Sequence, residues 1–186
     1  MPGTIVFVGD SLTEAGQWDE WLPEENVINQ GVGGQRTDDV IERLDEVVAA
    51  EPDAVVLLVG TNDLAWRKPK EEVGRNLETI LVELRKRIPG VRLLVVSLLP
   101  REQDYAADIR DLNRHIRQFV ATVHGQFLDL WPALADEDGQ LREDLGEDRL
   151  HLNAAGYEAW VAELKPALET LFSTPPTTRS IPIVSA

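Results

Sequence analysis

Five short apolar runs, at 4–8, 27–28, 54–59, 91–99 and 127–130, each bounded by Gly, Pro or Asp, constrain this chain more than any other feature. Runs that are brief and apolar throughout, rather than at alternate positions, suit strands of a parallel sheet covered on both faces. Helical spacing fills the gaps between them. Val40, Ile41, Leu44, Val47 and Val48 form one stripe, with Thr37 or Asp38 as its N-cap. Val73, Leu77, Ile80, Leu81, Leu84 and Ile88 form a second, stopped by Pro89-Gly90. Ile109, Leu112, Ile116, Phe119, Val120 and Val123 form a third. Tyr157, Trp160, Val161, Leu164, Leu168 and Leu171 form the last, which Pro166 is expected to kink or split.

Strands alternating with helices imply a three-layer α/β/α arrangement with right-handed crossovers, and five strands suit the flavodoxin-like order 2-1-3-4-5. In that order the C-terminal ends of the second, first and third strands are neighbours at the switch point where ligands bind. Gly34, Ser11 and Asn62 follow those three strands. The fifth strand lies three strands from the first, a gap of roughly 14 Å at normal spacing. The long segment 131–150, with little periodicity of its own, is expected to cross that gap and bring His151 beside Ser11.

The chemistry is concentrated at these exits. Gly9-Asp10-Ser11-Leu12 directly follows Ile5-Val6-Phe7-Val8, and Asp148-Arg149-Leu150-His151 lies far downstream. In that order they supply a nucleophile, an orienting acid and a base, the constituents of a serine esterase. Ser11 is expected to open a helix that includes Trp18 and Trp21, projecting its hydroxyl into the cleft. Asp148 suits the role of acid better than Asp10, whose side chain should diverge from that of Ser11. Asn153, just after His151, suits the N-cap of the last helix, whereas His115 and His124 fall within or just beyond the third helix. No Gly-x-Ser-x-Gly elbow occurs, so the α/β-hydrolase scaffold does not fit.

Two further blocks narrow the scaffold: Asn29-Gln30-Gly31-Val32-Gly33-Gly34 and Gly60-Thr61-Asn62-Asp63. With Gly9-Asp10-Ser11 and Asp148-x-x-His151, they make the chain resemble the SGNH hydrolases, or GDSL-type lipases and esterases, from Thr4 to about Phe172. The resemblance implies the same three-layer fold and an oxyanion hole built from the backbone N–H groups of Ser11 and Gly34 and the side-chain amide of Asn62. Asn29, Asp10 and Asp63 would hold these loops through backbone hydrogen bonds. The family includes short-acyl esterases, thioesterases, lysophospholipases and sugar deacetylases, among which these blocks do not choose. A binding module that keeps the fold without turnover is disfavoured because Ser11, Gly34, Asn62, Asp148 and His151 are all intact.

Leu12, Leu64, Trp66, Leu99 and Pro100 also follow strand exits, where they would line an acyl or alcohol pocket or else pack the loops. Arg36 and Arg101 would flank its mouth, facing an anionic group or pairing with surface carboxylates. An open cleft favours small soluble esters. Gly31-Val32-Gly33-Gly34-Gln35-Arg36 has Arg36 where a dinucleotide fingerprint needs its last glycine, and Asp136-Glu137-Asp138-Gly139 has its glycine too early for a calcium loop. Neither a phosphate loop nor a pair of histidines at metal-ligand spacing occurs, so no cofactor and no metal is implied.

With 186 residues the chain fits one domain, 1–172, followed by a tail, 173–186. Its 18 Lys and Arg against 33 Asp and Glu give a net charge of −15, which repels nucleic acid and anionic lipid at long range. The absence of cysteine, of a signal-like start and of a membrane-length apolar run makes the cytoplasm the expected location. Ile181-Pro182-Ile183-Val184 in the tail is expected to pack on the domain or to join a second copy in a homo-oligomer.

Overall fold

The computed structural model describes residues 3–176. The apolar segment Ile181–Val184, with the packing expected of it, therefore lies outside the described residues. Five parallel strands, β1 (Thr4–Gly9), β2 (Asn26–Gly31), β3 (Ala54–Leu58), β4 (Arg92–Val96) and β5 (Gln126–Leu128), form one sheet in the order β2-β1-β3-β4-β5. In β1, Ile5 stands between Val27 and Ala54, and that register brings Gly9 level with Gly31 and Leu58. The three inner strands, β1, β3 and β4, are buried on both faces except at Thr4 and Arg92, as the apolar runs require.

Strand limits differ from the apolar runs where side chains intervene. β2 extends well beyond Val27-Ile28 because it is an edge strand, and its polar residues find partners: Asn26 Nδ2 donates to Thr4 Oγ1 and Gln30 Nε2 to the Glu46 carbonyl. β4 stops at Val96, although the apolar run continues to Leu99, because the Asn113 amide takes both backbone groups of Leu98. The chain is thereby turned out of the sheet.

Helices cover both faces. On one, α3 (Thr37–Glu42), α4 (Leu44–Ala49), α6 (Lys70–Arg87) and α7 (Ala106–Thr122) pack in succession. On the other, α1 (Ser11–Glu14) and α2 (Trp18–Trp21) lie against β1 and β2, while α9 (Ala154–Ser173) covers β4 and β5. Trp18 fills the centre of this second face, stacked on Phe7 at 4.4 Å and edge-on to Trp160 at 4.9 Å. Short helices α5 (Thr61–Ala65) and α8 (Trp131–Leu134) follow β3 and β5.

Three helical expectations need correction. Ser11 does not open one helix running through Trp18 and Trp21: α1 and α2 are separate turns, because Asn29 Nδ2 and Trp18 Nε1 occupy the carbonyls of Thr13, Glu14 and Gly16. The stripe from Val40 to Val48 is broken at Arg43, whose guanidinium is drawn inward to the Gln30 carbonyl. Its N-cap is Arg36, since Thr37 is already the first helical residue and turns its hydroxyl to Asp63. Pro166 does not split α9, whose buried Tyr157, Trp160, Leu164, Leu168 and Leu171 hold it against the sheet on either side of the missing N–H.

Candidate active site

The three sheet neighbours β2, β1 and β3 end together, and each delivers one group to a shared cleft. Gly9 ends β1 because a Cβ there would lie 2.2 Å from both the Leu58 carbonyl and Thr13 Oγ1. The next residue, Asp10, is extended and caps α1, its Oδ1 accepting from the Leu12 N–H at 3.0 Å. Ser11 is thus the first residue of α1, where a backbone N–H has no acceptor inside the helix.

Segment 131–150 crosses the sheet as expected and ends in a turn that carries Asp148 and His151. Backbone bridges Arg101 to Gln140, Ala135 to Leu141 and Gly146 to Leu152 hold the crossing. At its far end Asn153 Oδ1 caps α9 by accepting from Gly156 N–H, and the Tyr157 hydroxyl donates to the Leu12 carbonyl at 2.8 Å. This last bond ties the start of α9 to the helix that carries Ser11.

His151 Nε2 then lies 3.3 Å from Ser11 Oγ, and His151 Nδ1 lies 2.6 Å from Asp148 Oδ2. Asp148 Oδ1 also accepts from the backbone N–H groups of Leu150 and His151. Although half-exposed, the Asp148 carboxyl is pulled down to about 2, first by the His151 ring and then by the His151 N–H. A carboxylate held ionised at Nδ1 keeps the ring proton on that nitrogen, leaving Nε2 as an acceptor toward Ser11.

Gly34 follows β2 with φ +76°, a left-handed conformation that favours glycine, while the space where a Cβ would stand is open. Backbone conformation, then, rather than crowding within the chain, calls for glycine here. Asn62, in the first turn of α5, donates one amide hydrogen from Nδ2 to the Gln35 carbonyl at 2.8 Å. That bond aims the amide between the two loops and leaves its second hydrogen free. Asp63 is fully buried and receives both the N–H and the hydroxyl of Thr37, at 2.9 and 2.6 Å. Asn29 Oδ1 accepts from the Gly31 N–H at 2.9 Å, so this one amide secures both the end of β2 and the break after α1.

A hydroxyl, an imidazole and a carboxylate in series, beside a glycine loop and an oriented amide, make a site able to transfer an acyl group. The family model of the GDSL-like Lipase/Acylhydrolase family matches residues 7–159. The chain belongs to this family. It is a hydrolase of ester bonds. The alpha1 subunit of platelet-activating factor acetylhydrolase IB from Homo sapiens is 32% identical over an alignment of 164 residues that covers 82% of this chain and 70% of that protein. A GDSL-like lipase from Bacteroides thetaiotaomicron superposes with a TM-score of 0.81 at 22% identity, over 90% of this chain and 88% of its own. An acetylxylan esterase from Geobacillus stearothermophilus has the same fold, with a TM-score of 0.72 at 19% identity over 87% of this chain and 92% of its own.

In this GDSL hydrolase several residues expected at the pocket lie elsewhere. Leu12, Leu64, Leu99 and Pro100 are buried, because the short elements after the strands turn these side chains into the core. Arg101 is 5% exposed and does not flank the mouth as a free cation. It donates to the carbonyl and hydroxyl of Thr61, pairs with Glu102 and lies 4.0 Å over the Tyr105 ring. Trp66 alone of these is open, at 74% exposure, with the Arg36 guanidinium 5.1 Å from its ring centroid.

Arg43 and the Tyr157 hydroxyl escape sequence reasoning in the GDSL hydrolase's site, as does the burial of Asp10, whose hydrogen bond to its loop was expected. Arg43 sits among the apolar residues of the first stripe, yet its guanidinium reaches the Gln30 carbonyl at 2.6 Å, the Gly9 carbonyl at 3.4 Å and Gln35 Oε1 at 2.6 Å. An arginine within an otherwise apolar stripe was the available signal. Tyr157 reads as core from its spacing, and its hydroxyl is the part that periodicity ignores. Asp10 is fully buried with Oδ2 unpartnered, and burial pushes its carboxyl up to about 7 against the opposing Leu12 N–H.

Proposed function

We propose that this chain hydrolyses small acyl esters, with Ser11 as nucleophile, His151 as general base and then acid, and Asp148 as the orienting carboxylate. The observation that carries the reading is the unbroken series from Ser11 Oγ to His151 Nε2 at 3.3 Å and from Nδ1 to Asp148 Oδ2 at 2.6 Å. Contacts of the first kind are commonly loose before substrate binds. As Oγ attacks the acyl carbon its proton passes to Nε2, and the ionised Asp148 stabilises the imidazolium. Collapse of the tetrahedral adduct expels the alcohol, which takes that proton. Water then attacks the acyl-serine by the same route in reverse, releasing the carboxylic acid and free Ser11.

The Ser11 and Gly34 N–H groups and the second amide hydrogen of Asn62 are the proposed donors to the oxyanion. Burial of Leu12, Leu64 and Pro100 supports a small acyl group, since these side chains are committed to the core. The acetyl group in the names of the human relative and the Geobacillus esterase points the same way. Trp66 and Arg36 would meet the alcohol portion. Cytoplasmic location belongs to this proposal and rests on the cysteine-free composition.

The test is a hydrolysis panel of acyl esters of increasing chain length, thioesters, lysophospholipids and acetylated sugars, run on the wild type beside Ser11→Ala and His151→Ala. Each substitution should lower kcat by roughly four to six orders of magnitude, and the double mutant should fall little further, because the residues act as a unit. More than a tenth of the activity remaining in Ser11→Ala would sink the triad, and preference for long chains would sink the substrate class.

A further inference from the structure

The turn between the acid and the base contains a left-handed residue that is not glycine. Arg149 has φ +59°, a conformation that side chains rarely adopt without something to hold them there. Its guanidinium supplies the hold. Nη1 donates to the Leu141 carbonyl at 2.7 Å and lies 3.6 Å from Asp136 Oδ2, while Nη2 donates to the Glu143 carboxylate. All three acceptors belong to the segment that crosses the sheet.

Two of those acceptors are themselves fixed, whereas the Glu143 carboxylate is exposed. Leu141 is fully buried and its N–H donates to the Arg101 carbonyl at 3.2 Å. Asp136 Oδ1 accepts from the N–H groups of Asp138 and Gln140. The turn is closed at its base by the Gly146–Leu152 bridge, but none of the four residues from Glu147 to Leu150 is buried, and the Asp148 carboxylate bonds only inside the turn and to His151. Among the described residues, Arg149 makes the side-chain hydrogen bonds that join these four residues to the crossing segment.

We infer that Arg149 is a positioning residue for ester hydrolysis: by clamping its own strained backbone to the crossing segment it keeps Asp148 and His151 in register with Ser11. This rests on the triad reading above. The guanidinium fork suits the task because it reaches a carbonyl and two carboxylates at once, which the single ammonium of lysine does not.

The experiment compares wild type, Arg149→Ala, Arg149→Gly and Arg149→Lys by kcat and KM on the best ester of the panel, with Ser11→Ala in the same assay. A displacement of about 1 Å costs on the order of 100-fold, so Arg149→Ala should lower kcat by about 10 to 100-fold with KM changed less than about twofold. Arg149→Gly tolerates the left-handed backbone but loses the clamp. It should fall between alanine and wild type, and Arg149→Lys should recover only part of the loss. If strain alone mattered, glycine would equal or exceed wild type, and that outcome overturns the inference. So does a folded Arg149→Ala with kcat within about twofold of wild type.

Should the Arg149 variants fail to fold, Glu143→Gln weakens the same clamp from its other end. Its kcat should fall by about two- to fivefold at unchanged KM, and an unaltered kcat would overturn the inference. The control separates the two readings. An active Ser11→Ala refutes the triad itself, whereas an inactive Ser11→Ala beside fully active Arg149 variants refutes only the clamp.

Discussion

Replacing Asp10 by Asn should stabilise the fold increasingly as pH rises. The carboxyl is fully buried, accepts one hydrogen bond from Leu12 N–H, leaves Oδ2 unpartnered, and feels His151, which lowers its pKa, and the like charge of Asp63, which raises it. Burial is the largest influence, and together these move its pKa from 3.8 to about 7. Because the folded value is the higher one, the folded chain keeps a proton that the unfolded chain releases near 3.8. The group's contribution to stability is therefore complete below that value, declines as pH rises, and is lost above about 7. A separation of about three units, at about 1.4 kcal/mol each, makes the whole loss about 4 kcal/mol.

Asparagine retains the capping oxygen and stays neutral, but its amide needs an acceptor where Oδ2 has no partner, at a cost of about 1–3 kcal/mol. That cost does not depend on pH, so a difference taken between two pH values removes it. Urea unfolding of both proteins should show the advantage of Asp10→Asn over wild type growing by about 3 kcal/mol from pH 5 to pH 8. Groups that do not interact with Asp10 cancel. A stability difference that stays constant across this range would mean that Asp10 titrates as an ordinary carboxyl, and the reasoning from its burial would fail.

Asn62→Ala should lower kcat by roughly 100 to 1,000-fold with a smaller change in KM, because the amide matters most as charge develops on the oxyanion; a raised KM at unchanged kcat would mark it as a ground-state contact. Asp148→Asn should cost on the order of 10⁴ in kcat by favouring the wrong imidazole tautomer. Since the wild-type carboxyl stays ionised down to about 2, it should contribute nothing to the loss of kcat/KM between pH 7 and pH 4, and a wild-type step assignable to it in that range would contradict this. Tyr157→Phe removes the donor to the Leu12 carbonyl and should lower stability by about 1–3 kcal/mol in urea melts, with an unaltered midpoint arguing that water replaces the hydroxyl.

Sheet order and the placing of Ser11, Gly34 and Asn62 could be read in advance because both depend on local patterns. Buried parallel strands are short apolar runs, and the residues that follow them emerge at one edge of the sheet whatever the details of packing. What could not be read are side chains that replace backbone partners across long intervals. Asn113 ends β4 from fifteen residues away, and Arg43 breaks a helix by turning toward carbonyls of β1 and β2. Arg101 illustrates the same limit in the site itself. Its position after β4 suggests a cation at the mouth, but the hydroxyl and carbonyl of Thr61 lie within 3.2 Å and withdraw it from solvent. A guanidinium with five donors goes where acceptors converge, and convergence is a property of the folded loops rather than of spacing. Arg149 follows the same rule. Its acceptors, Asp136, Leu141 and Glu143, meet only once the crossing segment has folded, so the residue proposed to hold Asp148 and His151 in place carries no mark in the sequence beyond lying between them.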